Sequence, residues 1–310
     1  QIQNKDGKNW VEKMAPFGES AGERVTAPRP GHADYAGIQK YNRQDIRDIL
    51  ERSSARETAA RVAAGALAKQ FLAACGVEIV SQVVNIGGIT ATSRQREKML
   101  RGDAASALNC FDPVAEEQMK ERIKEAAKDG DTLGGVFEVA VRGVPVGIGS
   151  HIQWDRRLDS RLAAAFMSIQ AVKGVEIGDG FRLADLPGSM AHDELYMDDR
   201  NRVYRRTNHA GGIEGGISNG EEIVLRAVMK PIPTLMKPLA SVDIATHSPV
   251  SAVKERSDVC AVTAASVVGE AMAALIITQA VLEKFGGDTM VDVLTALQSY
   301  KRRLTRENLQ

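Results

Sequence analysis

The sequence predicts an α+β fold. Helical and strand-like stretches both recur, they keep no regular strand–helix–strand rhythm, and one long helical stretch is built largely of alanine. A doubly wound sheet would show a crossover helix after each strand, and no such alternation runs through the chain. At 310 residues with 44% hydrophobic side chains the chain can bury a substantial core, and residues 1–310 read as one domain.

Gln1 to Tyr41 carries Pro16, Gly18, Gly22, Pro28, Pro30 and Gly31 with little periodicity and reads as a looped segment. Ser54 and Glu57 form an S-x-x-E capping box that opens a helix over Ala55 to Ala74, closed by Gly76. Ala59, Ala60, Ala63, Ala64, Gly65, Ala66 and Ala68 leave little bulk around its circumference. A surface helix needs one apolar stripe, whereas small residues on every side suit a central helix that other elements approach closely. Val77 to Ile86 is rich in β-branched residues and reads as a strand. Asp112 as N-cap and Pro113 at the first helical position open a charged helix that ends near Gly130. Phe137, Val139 and Val141 alternate with Glu138, Ala140 and Arg142, the period of a half-buried strand. Another helix is expected from about Arg157 to Val172. Asn208 to Gly220 holds five glycines, too many for regular structure, so a backbone-lined loop should precede a strand over Glu221 to Met229. Lys230-Pro-Ile-Pro-Thr234 cannot be helical, because each proline fixes its own φ and biases the residue before it to an extended form. Ala261 to Phe285 is a long apolar helix stopped by Gly286 and Gly287.

Forty basic residues balance forty acidic ones, so no overall field recruits nucleic acid or an anionic membrane, and any anion site must be local. Cys75, Cys110 and Cys260 are scattered without CxxC spacing, which suggests neither a disulfide framework nor a zinc site and fits a reducing cytoplasm. No apolar run is read as long enough to span a bilayer, and the polar start is unlike a signal peptide. That start, with Gln1 in place of methionine, reads as the interior of a longer protein cut upstream.

Several residues suit anion chemistry, each beside a plainer explanation. Arg52, Ser53 and Ser54 stand at the start of the alanine-rich helix, where free N–H groups and the helix dipole favour a phosphate; Ser54 as a simple cap explains them equally. His32, in Arg29-Pro-Gly-His-Ala-Asp34, is held in a stiff turn and suits proton donation near neutral pH, although a lone loop histidine is commonly structural. The glycine loop after His209 suits close approach to a ligand or a tight turn, and it matches neither GxGxxG nor a P-loop. Lys230 and Arg256, with Asp258 nearby, mean little singly; with Arg52 they form a set able to neutralise one polyanion. Gly18-Glu-Ser-Ala-Gly22 has the letters of a nucleophile elbow but no strand leading into it, so a hydrolase reading fails.

RPGHADYAG, RSSARETAARVAAGA, NHAGGIEGGISNG, KPIPT and ERSDVC occur here in the order of one family. Over nearly its whole length the chain resembles chorismate synthase. The resemblance implies a carbon–oxygen lyase that converts 5-enolpyruvylshikimate 3-phosphate to chorismate and phosphate by 1,4-anti elimination, with reduced FMN required despite no net redox change. It implies FMN contacts at Arg52, Ser53, Ser54, Gln170, Ala171, Gly215, Lys230, Pro231, Ile232, Pro233, Thr234 and Arg256. It further implies His32 as the group that protonates reduced flavin, Asp258 as an aid to proton transfer, and Arg29 facing the anionic substrate. Family members are layered β-α-β sandwiches, antiparallel sheets around central helices, assembled as homotetramers in the cytoplasm; NADPH is the candidate reductant for the flavin. The family's opening segment, with an early G-E-S-H-G, has no counterpart: Gly18 to Gly22 carries Ala21 where the histidine is needed. The alternative expectation is therefore a fragment that binds FMN or phosphate without turnover.

Overall fold

The computed structural model describes residues 24–50, 52–92, 106–199, 202–237, 239–252 and 257–307. Helices α1 (Asp34–Tyr41), α2 (Arg47–Leu50) and α3 (Thr58–Ala74) precede the strands β1 (Glu78–Ile86) and β2 (Ile89–Thr90). Then come α4 (Pro113–Lys128), β3 (Gly135–Arg142), α5 (Leu158–Met167) and β4 (Val172–Ile177). A short α6 (Gly188–Ala191) and hairpin β5 (Leu195–Met197) with β6 (Val203–Arg205) lead to β7 (Ile213–Glu214), β8 (Ile217–Ser218) and β9 (Ile223–Met229). Last are β10 (Ala240–Val242), β11 (Pro249–Ser251), α7 (Val262–Phe285) and α8 (Met290–Glu307).

Five strands form the main sheet in the order β2-β1-β3-β9-β4, every pairing antiparallel. The fold is thus α+β, as the irregular order of elements predicts. Val139 pairs Leu225 and Phe137 pairs Ala227, which puts a continuous apolar row on the face that α7 covers. Phe137 stacks on Phe166 of α5 with ring centroids 6.1 Å apart, and both are fully buried. The opposite face of β3 is not solvent-exposed as the alternation predicts. Glu138 is 1% exposed, accepts from Gln82 Nε2 at 3.0 Å and lies 3.4 Å from Arg226 Nε. A carboxylate can sit there because cationic and amide partners on β9 and β1 replace water.

Alanine and glycine decide how closely the helices approach. A Cβ built on Gly269 of α7 would meet the Phe137 ring at 2.6 Å, so that glycine lets the helix lie flat on the sheet. By length and composition α7 is apolar enough to cross a membrane, contrary to the expectation that no run reaches that length; over half of its apolar window is buried inside the fold. The core helix of a soluble domain passes the same test, and Glu270 in mid-helix is paired with Lys69 and accepts from Ser81 Oγ at 2.6 Å.

Other corrections have local causes. The segment up to Tyr41 contains α1, whose short apolar content is only Ile38 as a buried anchor beside Ile46 and Ile49. The capping box does not close: Ala55–Glu57 is a 3-10 turn, Ser54 accepts only from Arg56 N at 3.4 Å, and Glu57 bonds Arg61 and Gln170 instead. The helix expected to run to Val172 ends at Met167, and Val172 starts an edge strand. Among the described residues α3 buries Gly65, Ala68 and Leu72 on one face, while Ala59, Ala60, Ala63, Ala64 and Leu67 are exposed, so it is covered on one side only. Asp112 does cap α4 as expected, accepting from Val114 N and Ala115 N at 3.1 Å each and also from Thr92. Asp112→Ala should lower stability by about 1–2 kcal/mol, at the upper end for an N-cap because Thr92 loses its partner too; urea unfolding measures it.

Candidate active site

Pro28 to Asp34 and Lys230 to Thr234 meet although they lie 205 residues apart at the Arg29–Thr234 contact. Arg29 is 7% exposed and donates from Nη1 to Thr234 Oγ1 at 3.1 Å. Its backbone N and Nε both donate to Asp34 Oδ2, at 3.0 and 2.9 Å, and Nη2 donates to Asp34 Oδ1 at 3.1 Å. His32 Nδ1 lies 2.5 Å from the same Oδ1. Lys230 Nζ donates to the carbonyl of Gly31, closing the second bond between the two segments. Gly31 takes φ +77, which lets the chain reverse between Pro30 and His32.

Burial of Asp34 works against its ionised form, but hydrogen bonds from His32 and Arg29 outweigh it and hold the carboxyl well below the usual carboxylate range. Asp34 is therefore an acceptor-only anion in the folded protein.

The sheet explains why Lys230 to Thr234 is held there. β9 delivers Lys230 at its end, and Lys230 N donates to Ala171 O at 2.9 Å, just where α5 turns into β4. Ala171 has φ +66, a left-handed conformation that costs a non-glycine residue about 1–2 kcal/mol. Beside it, Gln170 Nε2 donates to Glu57 Oε1 at 2.5 Å, while Gln170 Oε1 is buried with no hydrogen-bond partner among the described residues. Arg61 chiefly lowers the Glu57 carboxyl, with Gln170 and the charge of Arg52 adding to it. The Arg52–Ser54 turn is thereby tied to Gln170. Ser53 Oγ donates to Ile49 O at 2.8 Å, and Ser54 caps the 3-10 turn.

The segment that carries Asp258 is held through its neighbour Val259. Val259 O accepts from Leu133 N at 2.8 Å, and the adjacent Thr132 donates from Oγ1 to Ile232 O at 2.7 Å, so the backbone next to Asp258 and the Pro-Ile-Pro segment flank one turn. Gly134 packs so closely that a Cβ there would be 2.3 Å from Met229 O.

Gly215 stands apart. It is in the β7–β8 turn at φ +59 with nothing within 4 Å of a Cβ there, and Gly216 O accepts from Leu158 N at the start of α5 at 2.9 Å. Gln170 follows the other end of that helix, about 15 Å away for its 10 residues. His209 Nδ1 contacts Asp179 Oδ2 at 2.8 Å, and Asp193 accepts from His209 N, Ala210 N and Thr207 Oγ1, so these groups anchor the glycine loop. Arg256 and Gly18 to Gly22 lie outside the described residues.

Sequence reasoning assigned no role to Asp34 or Thr132, and gave Glu57 only that of a helix cap. An acid two positions after a histidine in one tight turn was the available signal for Asp34; nothing in the sequence pointed to the Thr132–Ile232 or Glu57–Gln170 contacts, since those partners are distant in sequence.

Known proteins match this chain over nearly its whole length. The chorismate synthase family profile matches residues 1–282. A chorismate synthase of Geobacter sulfurreducens is 56% identical over 310 residues, covering 96% of this chain and 79% of that protein. One of Desulforudis audaxviator is 54% identical over 308 residues, covering 98% of this chain and 79% of its own length. A solved crystal structure of chorismate synthase superposes with a TM-score of 0.76 at 45% identity, covering 88% of this chain and 77% of that one. The chain belongs to the chorismate synthase family, carbon–oxygen lyases of the shikimate pathway in aromatic amino acid biosynthesis.

Proposed function

We propose that the cluster joining Arg29, His32, Arg52, Gln170, Lys230 and Thr234 is where this chain holds reduced FMN beside 5-enolpyruvylshikimate 3-phosphate and eliminates phosphate to form chorismate. The observation that supports it most is the convergence of segments through Lys230: its side chain bonds Gly31 and its backbone bonds Ala171. The residues fit FMN by their chemistry. Lys230, Arg29 and Arg52 supply cations for phosphate oxygens, and the unpartnered, buried Gln170 Oε1 is an acceptor suited to a ring N–H.

Reduced FMN, which the family uses, supplies electron density when the allylic C–O bond to phosphate breaks. The protein's part is positional and protonic. Ser53, Ser54, Ala171, Pro231, Ile232 and Pro233 shape the pocket wall, and Gly215 and Arg256 complete the set of cofactor contacts. His32 hands over a proton, Asp258 assists proton transfer, and Arg29 adds positive charge on the substrate's side. The uncovered alanine face of α3 supports a second layer there, completing a β-α-β sandwich. Exposed Leu195, Met197 and Val203 on the β5–β6 hairpin support a subunit contact within a homotetramer.

Anaerobic turnover with reduced FMN tests this reading. His32→Ala should lower kcat by about 10²- to 10⁴-fold, the usual contribution of a general acid, while FMN affinity stays near that of the wild type. Lys230→Ala should weaken FMN about 10-fold or more, since a charge-assisted contact is lost. Full turnover in both variants would reject the site. FMN binding with no chorismate formed by the unaltered chain would favour a binding fragment over an active lyase.

A further inference from the structure

We propose that Asp34 is the positioning residue for His32, fixing the neutral ring as the Nδ1–H tautomer so that Nε2 is the atom that exchanges protons. This rests on the reading of His32 as the proton donor and adds to it a residue that no sequence feature singled out.

The geometry carries it. Asp34 is 1% exposed and its two oxygens are fully allotted: Oδ2 takes Arg29 N and Nε, and Oδ1 takes Arg29 Nη2 and His32 Nδ1. An ionised carboxylate can only accept, so at 2.5 Å the hydrogen between Oδ1 and Nδ1 belongs to the ring. Arg29 Nη2 also lies 3.1 Å from Nδ1 and 3.4 Å from Nε2, but a guanidinium cannot accept, so neither contact takes a hydrogen from the ring. Arg29 in turn is fixed by Thr234, and Lys230 Nζ holds Gly31, the residue before His32. Among the described residues the charged groups on the imidazole are Asp34 and Arg29 from its own turn, with Lys230 bonded to the residue before it. The His32 side chain is 17% exposed, so the ring keeps an open edge. When the imidazolium gives up its Nε2 proton to the bound cofactor, Nδ1–H remains on Asp34 and the ring is left neutral. Asp34 stays an anion throughout and takes no proton.

Asp34→Asn inverts this logic. The amide oxygen should remain at the Oδ2 position, where two Arg29 donors point, which turns the NH2 group toward His32 Nδ1. Nδ1 must then accept, and the hydrogen moves to Nε2. A purely structural aspartate would lose stability on substitution without moving the tautomer.

Nitrogen-15 NMR of the full-length protein, free of substrate and flavin and at a pH where His32 is neutral, reads the tautomer directly. Wild type should show Nδ1–H, and Asp34→Asn should show Nε2–H with kcat lowered about 10²-fold or more and FMN affinity within about twofold. An Nε2–H signature in wild type overturns the proposal, as does an Asp34→Asn protein that keeps Nδ1–H and near-normal kcat. Should Asp34→Asn fail to fold, the wild-type signature alone decides. Full turnover in His32→Ala would instead reject His32 as proton donor, an outcome separate from the tautomer.

Discussion

Asp34→Ala is expected to lower the unfolding free energy by about 3–5 kcal/mol, because it removes one member of a buried, hydrogen-bonded ion pair. Arg29 is 7% exposed and directs its backbone N, Nε and Nη2 to that carboxylate, while Nη1 donates to Thr234. Surface pairs in this protein, such as Lys124–Glu121, are far more exposed and screened by water, so their loss should matter much less. Denaturant unfolding measures the loss, and a change below about 1 kcal/mol would show that the turn opens and hydrates the arginine. Arg29→Met combined with Asp34→Ala should be less damaging than Asp34→Ala alone, since both members of the pair are then replaced.

The same carboxylate gives a pH dependence whose sign is fixed. Its folded pKa lies below the ordinary value, so its stabilising contribution is complete above about pH 4, the unfolded value. As pH falls below that, toward the folded value, the contribution is lost. The stability gap between wild type and Asp34→Asn should accordingly be full at pH 7 and shrink only below about pH 4.

Gly65→Val should be comparably damaging, by about 3 kcal/mol or more, and for a steric reason. A Cβ at Gly65 would stand 2.4 Å from Ala271 Cβ and 2.6 Å from Ala271 Cα, so α3 and α7 touch backbone to backbone there. Replacing a helical glycine ordinarily gains up to about 1 kcal/mol of helix propensity. Overpacking a tight contact costs about 1–3 kcal/mol and more when backbone must move, so the clash wins. Gly65→Ala should therefore destabilise despite better propensity, and Ala271→Gly in that background should restore part of the loss. Thermal unfolding of the three variants checks the order; a Gly65→Ala protein more stable than wild type would show that the helices separate freely.

Much of the architecture was legible because it is written in local pattern. Asp112-Pro113 starts a helix wherever it occurs before a helical run, the β-branched run after Gly76 makes a strand, and two glycines after Phe285 end a helix. Glu138 was misjudged for the complementary reason: a charged residue at an alternate strand position looks solvent-facing until Gln82 and Arg226 are known to lie beside it. Glu57 likewise looked like a capping residue until Gln170 arrived from the turn after α5.

Family, reaction class and the identity of the motif residues were determined by the sequence alone, since those depend only on which side chains occur in which order. Tertiary structure decided which of them act together. Arg29 meets Thr234, Lys230 meets Gly31 and Ala171, Asp34 takes charge of His32, and Gly215 is left at the other end of α5. Hydrogen bonds between residues far apart in the chain form only after the sheet has fixed where each segment emerges, so no local pattern encodes them.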